Sequence, residues 1–278
     1  MRLILKTAVL IQSHNNAKYI CTLAIKNPQI RFYVHIDKKH QSVFDEIQKK
    51  AINNIILLHH RIKVYWGGSS QIYATLNLMK EALKEPRNIY FHLISGECYP
   101  LKDFLDIEKE WDTFPEMNYI ESNKKPEYNW RLKTLVPHAN TNYLRTFLGR
   151  FINKTLKLFS FFITTSKIDK NYFFFGSQWF SLNRTTINKI IEVHNSSSFF
   201  FNFKYITCAD EHAFQIFVRK YKIQNISNKN KRYIVFKNNS SPIYLTENEI
   251  RTLKNSDYWF ARKVKCEIAI SLLNKKNT

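Results

Sequence analysis

Four apolar runs in the first hundred residues limit the fold more than any other feature of this sequence. They are rich in aliphatic and aromatic residues, as buried strands are, and they read TAVLIQS (residues 7–13), RFYVHID (31–37), NIILL (54–58) and NIYFHLIS (88–95). Segments with helical character alternate with them, at residues 15–26, 41–52, 69–83 and 103–110. Strands that alternate with helices predict an α/β fold with a mostly parallel sheet and helices on both faces.

The carboxyl ends of these strands are the first place to expect a ligand. In open α/β sheets, ligands bind in the crevice beyond the carboxyl ends of the strands. The polar residues that follow the runs are Ser13 and His14, residues 35–37, and residues 95–97. The sequence therefore predicts a binding site built from these three strand ends.

The second half of the chain has a less regular pattern. The run NYFFFGSQWFSLNR predicts two strands joined by a turn at Gly176 and Ser177, and residues 185–193 are typical of a helix. Thr246 and Glu249 have the spacing of a capping box at the start of a further helix.

Nothing in the composition divides the chain, because it has no internal repeat and no Gly/Ser-rich linker. We therefore expect one domain over residues 1–278, with a regular half at 1–122 and a less regular half at 123–278.

The charge of the chain is strongly positive. Lys and Arg number 43 against 22 Asp and Glu, a formal net charge of +21. Such a surplus predicts an anionic partner, which could be nucleic acid, a membrane surface or a phosphorylated substrate. Residues 145–163 mix basic and aromatic residues at helical spacing, which fits either a helix on an anionic membrane or a helix packed on the core.

The cysteines and the amino-terminal run bear on location. Four cysteines are scattered without a C-x-x-C pair, so neither a zinc site nor a disulfide framework is expected. We expect reduced thiols, as in cytoplasmic proteins. The amino-terminal run is interrupted by Lys6 and lacks a cleavage signal, which favours a first strand over a signal peptide. No window reaches 18 apolar residues, so we expect a cytoplasmic protein, with at most peripheral contact to the inner face of the plasma membrane.

Two adjacent carboxylates in CADEHAFQIFVRK (residues 208–220) stand out in so basic a chain. Asp210 and Glu211 precede apolar residues at helical spacing. One interpretation is structural, because acidic residues stabilise the first turn of a helix. The other is catalytic, with one carboxylate acting as a general base.

Six short motifs together resemble one known family. HIDKK (35–39), WGGSS (66–70), LISGECYPLK (93–102), GSQWFSLNR (176–184), the DE pair and FARK (260–263) occur in the order found in the core-2/I-branching family of glycosyltransferases, which also contains protein xylosyltransferases. The resemblance covers roughly residues 9–264. It implies a GT-A-like fold and an inverting transfer from a UDP-sugar, commonly UDP-N-acetylglucosamine or UDP-xylose, to a hydroxyl group of a glycan or glycolipid acceptor.

The resemblance also implies roles for the two halves of the chain and for particular residues. It implies that residues 1–122 bind the nucleotide sugar and that residues 123–278 form the acceptor and catalytic half. Glu211 takes the place of the family's general base. The implied donor-binding residues are His14, Asp37, Trp66, Gly67, Ser95, Gly176, Ser177, Arg262 and Lys263. Those implied on the acceptor or sugar side are Glu121, Trp130, Arg131, Gln178, Trp179 and Asp210.

No cofactor or metal ion is expected. The D-x-D pair with which most GT-A enzymes bind a divalent cation does not occur in this sequence. The resemblance implies that Arg262 and Lys263 bind the leaving diphosphate instead, as charge-assisted donors can.

One position departs from the family. Relatives often have Asp where this chain has Cys98, and Glu97 stands one residue earlier. A short chain of this kind suggests a bacterial enzyme of lipopolysaccharide or other surface-polysaccharide synthesis.

Two other readings compete with a transferase. One is a basic nucleic-acid-binding protein, although no nucleic-acid-binding motif is present and no specific nucleic acid is expected. The other is an inactive, lectin-like relative, which the presence of Glu211, Arg262 and Lys263 disfavours.

Overall fold

A computed structural model describes residues 5–237 and 241–275 of the chain. The strands within these ranges are β1 (Thr7–Ser13), β2 (Arg31–Ile36), β3 (Ile55–Leu57), β4 (Tyr90–Ser95), β5 (Cys98–Pro100), β6 (Asn118–Tyr119), β7 (Ser181–Asn183), β8 (Ile226–Ser227), β9 (Arg232–Ile234) and β10 (Phe260–Arg262). The α-helices are α1 (Ala17–Lys26), α2 (Gln41–Lys50), α3 (Ser70–Leu83), α4 (Phe104–Asp112), α5 (Asn129–Lys133), α6 (Phe147–Phe159), α7 (Arg184–Ser196), α8 (Ala213–Lys220), α9 (Glu247–Thr252) and α10 (Cys266–Lys275).

The main sheet has seven strands in the order β3-β2-β1-β4-β7-β6-β8. Strands β1 to β4 are parallel to one another, whereas β7 runs antiparallel to both of its neighbours. Every residue of β1 is buried, because side chains on its two faces enter two different cores. Val9 and Ile11 pack with α1, α2, α4 and α10, and Ala8 and Leu10 pack with α3, α7 and α8. The predicted α/β class, with a mostly parallel sheet flanked by helices, is confirmed.

A second sheet of three strands, in the order β5-β10-β9, brings distant parts of the chain to the carboxyl end of β4. Strand β5 follows β4 after the turn at Gly96 and Glu97. It pairs antiparallel with β10, so that Cys98 lies opposite Arg262. Strand β10 in turn pairs in parallel with β9. The segment containing Arg262 and Lys263 is thereby held beside the strand ends of the main sheet.

Some local predictions are confirmed and others are wrong. Thr246 and Glu249 form the predicted capping box at the start of α9. The first half of NYFFFGSQWFSLNR is not a strand. The side chain of Asp169 caps a short 3-10 helix there, and the backbone of Phe175 makes only an isolated bridge with Asn123.

The acidic pair does not cap a helix as the structural interpretation proposed. Ala209–Glu211 form a short 3-10 helix, and α8 begins only at Ala213. The first turn of α8 contains no acidic residue, and no side chain caps it. Asp210 and Glu211 are therefore placed by a separate turn ahead of the helix.

In the described part of the chain, none of the helices combines the length and the apolar character that crossing a membrane requires.

Candidate active site

Two adjoining cavities lie beyond the carboxyl ends of β1, β2 and β4. The first has a volume of about 300 Å³ and the second about 260 Å³. The first is lined by His14, Asp37, Trp66, Ser95, Gln178, Trp179 and Arg262, among others. The second is lined among others by Trp66, Gly67, Glu121, Ser177, Gln178, Trp179, Asp210, Glu211, Arg232 and Arg262. The two cavities share a wall, which is formed by Trp66, Gln178, Trp179 and Arg262.

Asp37 sits in the first cavity with most of its hydrogen-bonding capacity already used. Its Oδ1 accepts from the backbone N–H groups of Lys39 at 3.0 Å and Val64 at 3.1 Å. Its Oδ2 lies 3.4 Å from Lys39 Nζ. The carboxylate therefore fixes the loop after β2.

Gly67 is required by the shape of the loop between the cavities. Its φ of +69° lies in the region that side-chain-bearing residues rarely adopt. Its N–H donates to Gln71 Oε1 at 2.7 Å, and its carbonyl accepts from Ala209 N–H at 3.2 Å. The glycine thus helps to hold the turn that bears Asp210 and Glu211.

Glu211 lines the second cavity and forms an ion pair with Arg131, which does not line it. Its Oε2 accepts from Arg131 Nη1 at 2.8 Å, and about a third of its side chain is exposed (33%). Burial raises the pKa of Glu211, and the nearby Arg131 guanidinium opposes that rise. A carboxylate whose pKa is raised is a stronger base than an ordinary glutamate.

Asp210 is more deeply buried than its neighbour and is joined to a set of amide side chains. Its Oδ2 accepts from Gln71 Nε2 at 3.1 Å, and Gln71 Nε2 also donates to Gln178 Oε1 at 2.9 Å. Gln178 Nε2 lies 3.3 Å from Gln12 Oε1. Burial raises the pKa of Asp210, and the negative charge of Glu211 raises it further.

Glu97 organises the basic pair at the end of β10. Its Oε2 lies 3.7 Å from Arg262 Nη1 and 3.4 Å from Lys263 Nζ, and its Oε1 accepts from the Tyr244 hydroxyl at 2.6 Å. Burial alone would raise the pKa of Glu97, but the Tyr244 hydrogen bond and the two cations outweigh it and lower the pKa. The carboxylate is therefore held charged. Cys98 is fully buried in the core, whereas Glu97 lines the first cavity.

Arg262 and Lys263 differ in their access to the cavities. Arg262 lines both cavities, donates to Ser95 Oγ, and has its guanidinium carbon 4.8 Å from the centroid of the Trp179 ring. Lys263 lines neither cavity, and its Nζ forms an ion pair with Glu97 Oε2.

Arg232 is a residue of this site that sequence reasoning missed. It lines the second cavity from β9, and burial lowers its pKa to about 9. Its guanidinium donates to Ser181 Oγ at 2.7 Å and to the Phe180 carbonyl at 2.6 Å. Its motif, RYIVF, looks like an ordinary strand and gave no signal of a functional residue.

The remaining predicted residues either support the second cavity or lie outside both cavities. Ser177 N–H donates to Glu121 Oε2 at 3.1 Å, and Gly176 N–H donates to the Glu211 carbonyl at 3.0 Å. A Cβ at Gly176 would lie 2.1 Å from the Glu121 carbonyl oxygen, so only glycine fits there. Trp130 lines neither cavity, although the adjacent Arg131 reaches Glu211.

The described residues, 5–237 and 241–275, contain no group of three or more His, Cys, Asp or Glu side chains arranged to hold a metal ion.

The comparisons with known proteins assign a family to this arrangement. The family model described as Core-2/I-Branching enzyme matches residues 10–258. The chain belongs to the core-2/I-branching enzyme family.

Individual relatives are distant. Xylosyltransferase sqv-6 of Caenorhabditis elegans is 28% identical over 87 residues, which are 30% of this chain and 11% of that protein. This chain therefore matches only a small part of that relative's length. Among solved structures, 4-diphosphocytidyl-2C-methyl-D-erythritol synthase from Anaerococcus prevotii is similar over 89% of this chain and 94% of its own, with 12% identity and a TM-score of 0.41. That similarity is too low to bear on function.

Proposed function

We propose that this protein is an inverting glycosyltransferase that moves a sugar from a UDP-sugar to a hydroxyl group of a glycan acceptor. The observation that carries the proposal is the pair of cavities with a common wall, in which Arg262 lines both cavities whereas Asp210 and Glu211 line only the second. The donor occupies the first cavity, at the strand ends where nucleotides bind in open α/β sheets. The acceptor occupies the second cavity, beside Glu211.

The reaction is a single displacement. Glu211 Oε takes the proton of the acceptor hydroxyl as its oxygen attacks the anomeric carbon. The bond between that carbon and the diphosphate oxygen breaks on the opposite face, and UDP leaves with the bonding electron pair. The configuration at the anomeric carbon is therefore inverted, and no covalent enzyme intermediate is needed.

Fixed cations stabilise the leaving diphosphate. Arg262 lies in the wall between the cavities, and Glu97 orients both it and Lys263. Arg232 lines only the second cavity, so its positive charge lies on the acceptor side. Positive groups held in place before the reaction lower the energy of the charge that develops on UDP.

N-acetylglucosamine is the donor sugar we propose first, and xylose is the alternative that the C. elegans relative suggests. The bacterial source, the cytoplasmic location and the role in surface-polysaccharide or lipopolysaccharide synthesis stay predictions from sequence.

A donor screen tests the proposed function. We expect the purified protein to release UDP by slow hydrolysis from UDP-N-acetylglucosamine, or from UDP-xylose if the alternative holds, and not to cleave GDP-mannose. Binding of UDP at moderate salt is measured in parallel by calorimetry. Failure to bind UDP at moderate salt would count against the transferase. Binding to DNA alone would not decide, because a chain this basic binds DNA through charge alone.

Activity is expected to persist in excess EDTA. The sequence contains no D-x-D pair, and Arg262 and Lys263 supply positive charge to the diphosphate. The rate of UDP release is compared before and after treatment with the chelator. A loss of turnover that Mn²⁺ restores would show that a divalent cation is needed after all.

A further inference from the structure

Helix α6 and the three residues at 161–163 expose an apolar surface that the rest of the described chain does not cover. Phe147 is 83% exposed and Phe162 is 88% exposed, values that are unusual for such large apolar side chains. The other exposed members of this surface, called here the α6 face, are Leu148, Phe151, Leu158, Phe159, Phe161 and Ile163. A contiguous apolar surface of this kind marks an interaction site.

The orientation of α6 excludes the core-packed helix that was one of the two expectations for residues 145–163. The side of α6 turned towards the protein carries Gly149 and the following Ser160, which are buried, and Ile152 and Leu156, which are half-buried. Phe147, Phe151 and Leu158 recur at helical spacing on the opposite side. The helix thus turns its aromatic side away from its own core.

Basic residues border the α6 face without acidic partners. Arg150, Lys154 and Lys157 lie on one flank of the apolar side chains, and none of them forms an ion pair within residues 5–237 and 241–275. Every charged side chain between Glu127 and Asp169 is basic. The partner of this surface must therefore supply both apolar contact and negative charge.

We propose that the α6 face binds an anionic lipid bilayer, with α6 lying in the plane of the interface. An apolar stripe flanked by cations is the pattern by which helices bind such surfaces. A second copy of this chain fits poorly, because it would bring the same unpaired cations together in a chain of net charge +21. This proposal does not depend on the proposed function.

The position of the α6 face ties it to the first cavity. Thr141, Asn142 and Arg145, which line that cavity, directly precede α6. The Arg145 guanidinium carbon lies 4.9 Å from the centroid of the Trp66 ring, in the wall that the cavities share. Docking through α6 places this side of the cavity at the membrane surface.

Vesicle sedimentation tests the proposal with the full chain. We expect binding to vesicles of phosphatidylglycerol and phosphatidylcholine, weaker binding as salt rises, and little binding to pure phosphatidylcholine. The charge variant Arg150→Gln, Lys154→Gln, Lys157→Gln should lower the partition coefficient on the order of a hundredfold, because each cation near an anionic surface contributes separately. The apolar variant Phe147→Ser, Phe151→Ser, Phe162→Ser should lower it at least about tenfold.

Matched controls change the same residue types elsewhere on the surface. Lys18, Lys49 and Lys50 replaced by Gln remove three exposed cations from α1 and α2, and Phe114→Ser with Phe201→Ser removes two exposed aromatic rings. These variants should bind anionic vesicles much as the unaltered protein does, and circular dichroism checks that every variant is folded.

Three results would overturn the proposal. The first is equal binding to neutral and anionic vesicles, or none to either. The second is a loss of binding to anionic vesicles in the control variants that is as large as the loss in the α6 variants. The third is a dimer in sedimentation equilibrium that the apolar substitutions dissociate, together with no vesicle binding by the unaltered protein. That result would assign the α6 face to a second copy. UDP binding, measured separately, reports on the proposed function and not on this surface.

Discussion

The Glu211→Gln variant is expected to transfer sugar at least about a hundredfold more slowly than the unaltered protein, because loss of a general base costs about 10²–10⁴ in rate. Glutamine keeps the shape of the side chain and can still accept a hydrogen bond from Arg131, so the variant should fold and bind UDP. Losing the charge of the pair with Arg131 costs stability, and we expect the melting temperature to fall by only a few degrees.

The pH dependence provides an independent check on Glu211. Because burial raises its pKa, the unaltered enzyme should lose activity on the acid side at a higher pH than an ordinary glutamate would give. The rate falls there as the base becomes protonated, so this limb of the profile should vanish in Glu211→Gln. Transfer rates measured from pH 4 to 8 for the unaltered protein and for Glu211→Gln would show whether this acid limb is present.

Two neighbouring substitutions serve as controls. Glu127→Gln removes one negative charge from an exposed position outside both cavities, and it should leave the rate unchanged. Asp210→Asn should be milder than Glu211→Gln, because Asp210 acts through its contact with Gln71. A dead Asp210→Asn beside an active Glu211→Gln would make Asp210 the base. If both remain active, the base must be sought at Glu121 or Glu97.

Replacing Arg262 or Lys263 with Ala is expected to weaken UDP binding roughly tenfold or more. A hydrogen bond to a charged group contributes about 1.5–3 kcal/mol, and about 1.4 kcal/mol corresponds to a tenfold change in affinity. Arg262→Ala should have the larger effect, because Arg262 lines both cavities whereas Lys263 lines neither. Titration calorimetry with UDP measures both.

The matched control for this pair is Lys265→Ala, an exposed cation two residues farther along the chain. It removes the same charge from the same segment and should leave UDP affinity unchanged. Unaltered affinity in both the Arg262 and the Lys263 variants would mean that the diphosphate binds elsewhere.

The first half of the fold was predictable because its buried strands and helices are long and continuous in sequence. The ends of β1, β2 and β4 could therefore be located, and His14, Asp37 and Ser95 do line one cavity. The patterns of strands and helices depend only on residues that are neighbours in sequence, so they predict the elements that one continuous segment forms.

The remaining parts of the site depend on contacts between residues that are far apart in the chain. Glu97 meets Arg262 and Lys263 only because β10 pairs with β5, and no local pattern encodes that pairing. Arg232 reaches the second cavity through the same small sheet. The apolar side of α6 could not be assigned from sequence, since an exposed and a buried amphipathic helix have the same periodicity.

The wall that the two cavities share also governs what happens when only the donor is bound. In the proposed reaction, the anomeric carbon of the sugar lies beside Trp66 and Gln178, the side chains that separate the donor from Glu211. An empty second cavity leaves water next to the same carboxylate that would activate an acceptor. Slow hydrolysis of the UDP-sugar is then a property of the site itself, and an acceptor suppresses it by occupying the place of that water.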